Sequence, residues 1–307
     1  MKATRREFVG ALGATVAALA VPGCATRPLA GNRRMALQLY SIRTYIERVG
    51  LAKALAEVAK IGFDGVEFAG YHGFKAGELK AMLDDAGLAC CGTQVENRVF
   101  SPEYAASTCE FVRTFGCDFL CCTGGGNFPP GCDWGTESVP PSEAIDSFTD
   151  RLADYYNRAA VDCARYGCRI GIHNHMWEFL VRMTDGTPFW DRFLAKTDPA
   201  VLMELDVGWA TCAGFDPAEQ FRRHPGRSFA LHAKENGMGK HVTSFDGILG
   251  RPGRPGAVPV DWDRLLPVAA ADGVKWFVVE CERGENGLDA VKPSFAFLHA
   301  KLAGLES

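Results

Sequence analysis

The chain has 307 residues, 47% of them hydrophobic and 23% charged, with a formal net charge of −4 at pH 7. That composition suits a soluble globular protein with a sizeable core, organised as two small domains or as one large α/β barrel. The mild acidic balance supplies no field to gather nucleic acid or an anionic membrane surface, so neither is expected as a partner.

From Thr4 the chain reads "TRREFVGALGATVAALAVPGCA", in which Arg5 and Arg6 precede an uncharged run from Phe8 to Val21. A basic start, a short apolar stretch and a small-residue end read as a secretory signal over residues 1–30. The paired arginines before Phe8 point to the twin-arginine route. A buried N-terminal helix is the plainer alternative, and an Arg-Arg pair suits it poorly. The apolar run is short for a membrane span. The expectation is an exported, periplasmic protein with no stable membrane span after export and a single folded domain over 31–307. "VPGC" loosely resembles a lipoprotein box and would place lipid on Cys24, although Pro22 is atypical there.

Beyond residue 30 the pattern alternates. "MALQLYSI" (35–42) is a predicted strand, followed by an amphipathic helix through "LAKALAEVAKIG". "FDGVEFAG" is the second strand and "AGELKAMLDDAG" its helix, closed by Gly87. "LACCGTQVE" follows, then a helix over 102–116, then "CDFLCCTGGG". A long helix is predicted from Pro141 to Tyr166, with Ser142 as N-cap. "CRIGIHNH", "VLMELDVGWA", "SFALHAKE" and "WFVVECE" are the last four strands, with helical stretches between them and "GLDAVKPSFAFLHAKLAG" at the end. Continuously apolar strands imply burial on both faces, as in a parallel sheet. Eight such units predict a (β/α)8 TIM barrel, with a doubly wound open sheet as the alternative.

The 12 cysteines become 11 when Cys24 is set aside, an odd number for an exported chain. Their spacings match no zinc ribbon or finger. Adjacent "CC" pairs point to opposite faces of a strand and chelate poorly together. Most are read as buried thiols that pack as small hydrophobes.

In a barrel of this kind the functional side chains gather at the C-terminal ends of the strands. Four predicted strands in succession end in ionisable residues: His173, His175 and Glu178 on the fifth, Glu204 and Asp206 on the sixth, His232 and Lys234 on the seventh, Glu280 and Glu282 on the eighth. Each strand has one pair spaced by two, so its members share a face that can be the lumen. Each motif alone has a bland reading: a hydrogen-bonded core histidine, an aspartate capping a helix, an exposed edge, a solvated terminus. Four together are harder to dismiss, because unpaired buried charges cost several kcal/mol each. One divalent metal ion is the simplest common partner, and this mixed N/O set suits Mn, Mg, Co or Zn.

The ordered set "LQLYS", "GFDGVEFAG", "HNHMWEF", "MELDVGWA", "HAKE" and "VVECE" resembles the xylose-isomerase-like barrel superfamily, its sugar phosphate isomerase/epimerase group, over residues 35–303. The resemblance implies one divalent metal held by Glu, Asp, His and Glu from strands five to eight, and assigns three places to Asp206, His232 and Glu280. The fourth departs from the pattern, since His173 stands where many sugar epimerases carry a glutamate. Glu178 is preferred there because it adds a hard oxygen, with His173 as the alternative ligand.

The resemblance further implies proton transfer beside a sugar carbonyl, with Glu280 as one base and the group of His173, His175 and Glu178 on the opposite side. Lys234 is placed to bind a hydroxyl or stabilise an enediolate oxygen, or is a surface lysine. Glu67, Trp177, Trp209 and Glu282 are the candidate substrate contacts, and Trp262 is a further apolar platform, though tryptophan is more often core or wall. The expected partner is a small carbohydrate. The missing second glutamate also fits a lyase or dehydratase, eliminating from a keto-sugar or 3-keto-glycoside. An exported sugar-binding protein without catalysis would need no such acid/base groups. An apurinic endonuclease would need more metal ligands and a basic face. "TGGGNFPP" (123–130) lacks the lysine of a phosphate-binding loop. Arg251 and Arg254 in "GRPGRPG" are read as a solvated loop, with an anion such as a sugar acid as the alternative.

Overall fold

The computed structural model describes residues 33–123, 128–133, 136, 138–236, 248–251, 258–281 and 287–305; the stretch 1–30 expected to be a signal, with its Cys24, and also Arg254 and Glu282 lie outside them. Its strands are β1 (Arg34–Gln38), β2 (Gly65–Phe68), β3 (Ala89–Val95), β4 (Phe119–Cys122), β5 (Arg169–His173), β6 (Val201–Asp206), β7 (Ser228–Ala233) and β8 (Trp276–Val279). Each pairs in parallel with the next, and β8 pairs back onto β1 from Arg34↔Trp276 to Leu37↔Val279. That closure makes the fold a (β/α)8 barrel and rules out the open sheet.

Helices form where apolar residues recur every three or four positions. The helix Glu143–Ala164 buries Ile145, Thr149, Ala153, Tyr156, Ala160 and Cys163 along one stripe. It begins at the predicted cap: the Ser142 hydroxyl accepts the Ile145 N–H, and Glu143 and Asp146 lie in the first turn, where the helix dipole favours acids. Among the described residues, no helix is long and apolar enough to cross a membrane.

Three boundaries differ from expectation. The first strand stops at Gln38, whose side-chain oxygen accepts the Tyr40 N–H and turns the chain into a 3-10 segment, Leu39–Ile42. The helix expected over 102–116 is Ala105–Thr114, preceded by a second 3-10 turn at Asn97–Phe100. The fifth strand ends at His173, not His175, because Asn174 uses its side chain where backbone would continue. Its amide donates to the Asp206 carbonyl at 3.1 Å and accepts the Asp206 N–H at 2.9 Å.

The interior has two shells. The larger lies between barrel and helices. The smaller fills the lower lumen with Ala36, Cys91, Phe119, Cys121, Phe229, Ala230, Trp276 and Val278. The cysteine pairs divide as their alternation requires: Cys91 and Cys121 face the lumen, Cys90 and Cys122 the outer shell. The described cysteines are free thiols, buried except for Cys132. Two glycines make room for the large rings. A Cβ on Gly171 would lie 2.8 Å from the Phe119 ring, and one on Gly65 3.0 Å from the Trp276 ring and 2.6 Å from the Ala89 carbonyl. Arginines stack on rings of this plug, Arg169 3.9 Å from the Phe229 centroid and Arg34 5.3 Å from that of Trp276.

Candidate functional site

Two residues further along the same strands, the lumen changes character. Ala36 gives way to Gln38, Gly65 to Glu67, Gly171 to His173, Leu202 to Glu204 and then Asp206, Ala230 to His232, Val278 to Glu280. Strand register brings them together: His173 is opposite Glu204, and Asp206 opposite His232. One donor atom from each of His173, Asp206, His232 and Glu280 lies within 4.8 Å of the others. A second group, Glu67, Glu204 and His232, satisfies the same limit, so the two share His232.

His232 is completely buried between carboxylates. Its Nδ1 is 2.7 Å from Glu280 Oε2, and its Nε2 is 2.7 Å from Glu67 Oε2 and 3.3 Å from Glu204 Oε2. Burial pushes its pKa down, but the Glu204 and Glu67 charges and the bonds to Glu280 and Glu67 prevail and hold it well above the ordinary imidazole range. Glu280 moves oppositely. Burial disfavours its charge, yet Lys234, with Nζ 3.2 Å from Oε1, and His232 keep it ionised far below its usual value. Burial, with the Glu280 charge adding to it, raises Asp206 despite Lys234. Burial and then the neighbouring Glu67 raise Glu204. Burial keeps the histidines of the fifth segment neutral: His173 falls well below its normal range, helped by His232, and His175 falls to about 3, helped by Lys234.

The structure brings together Asp206, His232, Glu280, His173 and Lys234. Of the two alternatives for the fourth ligand, the four-donor set contains His173 and not Glu178. Glu178 is fully buried in the short helix Trp177–Leu180, where its Oε2 accepts the His175 backbone N–H at 2.7 Å. His175 lies beyond the strand and half-buried, its ring centroid 5.0 Å from that of His173 and 5.5 Å from that of Trp209. Lys234, far from being a surface residue, is 1% exposed, with Nζ 5.2 Å from the Trp209 centroid.

Trp177 packs between Phe128 and Phe189 as core. The Trp262 indole N–H donates to Glu235 Oε2 at 2.8 Å. Glu67, expected to meet substrate, is fully buried against His232 and accepts a hydrogen bond from Gln38 Nε2. Arg251 is exposed, as a solvated loop residue would be.

Sequence reasoning missed Gln38, Asn174 and Glu235. Glu235 follows the "HAK" stretch and accepts the N–H groups of Gly250 (2.9 Å) and Val260 (2.8 Å), tying these two residues to the end of β7. Gln38 had a signal in its place at the end of an apolar strand; Asn174 and Glu235 depend on contacts distant in sequence.

The four-donor set fits a divalent cation. Two carboxylates and two imidazoles offer a mixed N/O shell, and Asp206 Oδ2 and His173 Nδ1 are buried without a hydrogen-bond partner.

Comparison with known proteins agrees with this architecture. No curated protein sequence matches the chain. Among solved structures, a sugar phosphate isomerase/epimerase from Parabacteroides distasonis ATCC 8503 superposes with a TM-score of 0.71 at 22% identity, covering 91% of this chain and 98% of that one. An L-ribulose 3-epimerase gives 0.62 at 16% identity, covering 89% and 95%. A 3-keto-D-glucoside 4-epimerase from E. coli gives 0.58 at 16%, covering 87% and 99%. At these identities the likeness establishes the fold. The family model described as xylose isomerase-like TIM barrel matches residues 55–301, and the chain belongs to that family.

Proposed function

We propose that the protein is a divalent-metal-dependent isomerase or epimerase of a small sugar, moving a proton at a carbon next to a carbonyl. The observation that carries this reading is the convergence of His173, Asp206, His232 and Glu280 within 4.8 Å, from the ends of four consecutive strands. These residues would hold the cation, and when bound it would serve as a Lewis acid toward a sugar carbonyl and an adjacent hydroxyl. Glu280 is the base: Lys234 and His232 keep its carboxylate ionised where burial alone would protonate it. His175 is the opposite acid/base group, a neutral imidazole half-exposed beside Trp209. Lys234 Nζ, 3.2 Å from Glu280 and 3.9 Å from Asp206 Oδ2, would also donate to an oxygen of the enediolate. The fold of the comparison epimerases supports the substrate class as analogy.

Incubation of the manganese-loaded protein with ketoses and 3-keto-glycosides in D2O tests the reading. Deuterium should enter beside the carbonyl, with a product of unchanged mass apart from the label. Glu280→Gln should abolish exchange, and His175→Ala should slow it by about 10²-fold or more while metal content stays the same. Normal exchange in both variants would sink the assignment. β-Elimination is the second reading, favoured because the fifth strand offers the neutral His173 where a second glutamate base would stand; an unsaturated ketone among the products would establish it.

Export is part of the proposal and rests on Arg5, Arg6 and the apolar run after them. Replacing both arginines by lysine should leave the protein in the cytoplasm; normal periplasmic levels of that variant would refute the twin-arginine route.

A further inference from the structure

We infer that Glu67 is a positioning residue for the metal centre, selecting which nitrogen of His232 faces the other ligands. The inference rests on the metal-dependent reading and concerns a carboxylate that makes none of the four proposed metal bonds. A neutral imidazole carries its proton on one nitrogen, so a ligating histidine needs an acceptor for the other. His232 Nδ1 faces the donor set, 2.7 Å from Glu280 Oε2 and 4.0 Å from Asp206 Oδ2. Its Nε2 is on the opposite edge of the ring, 2.7 Å from Glu67 Oε2. A cation binding at Nδ1 would displace the proton now shared with Glu280, and a proton held on Nε2 by Glu67 would then fix Nδ1 as the ligating nitrogen.

Glu67 is itself held from the neighbouring strand. Gln38 is its register partner and donates to the same Oε2, while Gln38 Oε1 accepts the Tyr40 N–H at 3.0 Å. Oε1 of Glu67 occupies space left by the absent side chain of Gly92, where a Cβ would lie 3.0 Å away. A relay thus runs from the turn after β1 through Gln38 and Glu67 to the His232 ring, all of it buried apart from Tyr40. Glu204 Oε2 lies 3.3 Å from the same Nε2.

The rival is that Glu67, Glu204 and His232 Nε2 form a second cation site, since they too lie within 4.8 Å. Cobalt(II) titration of the metal-free full chain, read by calorimetry and by the visible ligand-field bands, separates the two. Wild type should bind one ion. Glu67→Leu should bind one ion about 100-fold more weakly with shifted bands, as expected when an outer partner of a ligating histidine is lost. Glu67→Gln, which keeps a neutral acceptor, should lose roughly 10-fold and restore most of the wild-type spectrum. Should Glu67→Leu fail to fold, Glu67→Gln decides: unchanged affinity overturns the inference. Two ions in wild type, with one lost in either variant, would make Glu67 a ligand and overturn it differently. A wild type that binds no cobalt removes the metal reading and this inference together, whereas one ion bound alike by wild type and variants removes the inference alone.

Discussion

The lower and upper halves of the lumen are built from the same strands on the same face, two residues apart, and they do opposite things. Below, Phe119, Phe229 and Trp276 close the barrel with apolar surface, and Gly65 and Gly171 yield space to rings. Above, the positions that follow carry Glu67, His173, Glu204, Asp206, His232 and Glu280, every one at least nine-tenths buried. Water-free burial stabilises the first set and penalises the second. The apolar plug thus supplies stability and a dry floor, and the carboxylates and imidazoles above it are tolerated because they partner one another and, on the proposed reading, a cation.

Variants of the two halves should therefore separate stability from binding. The largest effect on stability is expected below: Phe119→Ala empties the centre of the plug and should cost about 3–5 kcal/mol, lowering the melting temperature by roughly 10 °C. Its metal content should be unchanged; loss of metal with an unaltered melt would reverse the proposed division. A smaller effect of opposite pattern is expected above. Saturating manganese, at about a hundred times its Kd, should stabilise wild type by about 2.7 kcal/mol, and a chelator should remove that gain. Asp206→Asn should abolish the gain, yet its metal-free form should melt no earlier than metal-free wild type, because a buried carboxyl oxygen without a hydrogen-bond partner has been replaced by a neutral group. A metal-free variant that melts much earlier would show that Asp206 holds the fold rather than an ion.

The same comparison explains what was legible in the residues. The barrel was, because eight apolar runs alternating with amphipathic helices have few other ways to bury both faces. Part of the site was legible through period two: ionisable residues paired two apart at strand ends, as Glu204 with Asp206 or His232 with Lys234, mark one strand face. That rule failed where the strand did. It placed His175 on the face of His173, but Asn174 ends the strand by bonding the Asp206 backbone from its side chain, and His175 follows the loop instead. The preference for Glu178 over His173 rested on ligand hardness instead, and no local pattern shows that Glu178 sits in a helical turn whose direction is set by packing and by its bond to the His175 N–H.

By itself the sequence determined the number and order of strands, which faces they bury, and which ionisable residues arrive at their ends, since these follow from local periodicity and the cost of exposing apolar surface. Only the tertiary structure decided which of those residues meet. Barrel closure brings Glu67 of the second strand within 2.7 Å of His232, 165 positions away, and strand register places His173 opposite Glu204 and Asp206 opposite His232. Partner choice among buried charges depends on distances of a few ångströms across the lumen, which no local pattern encodes, whereas burial depends on a periodicity that every short segment carries.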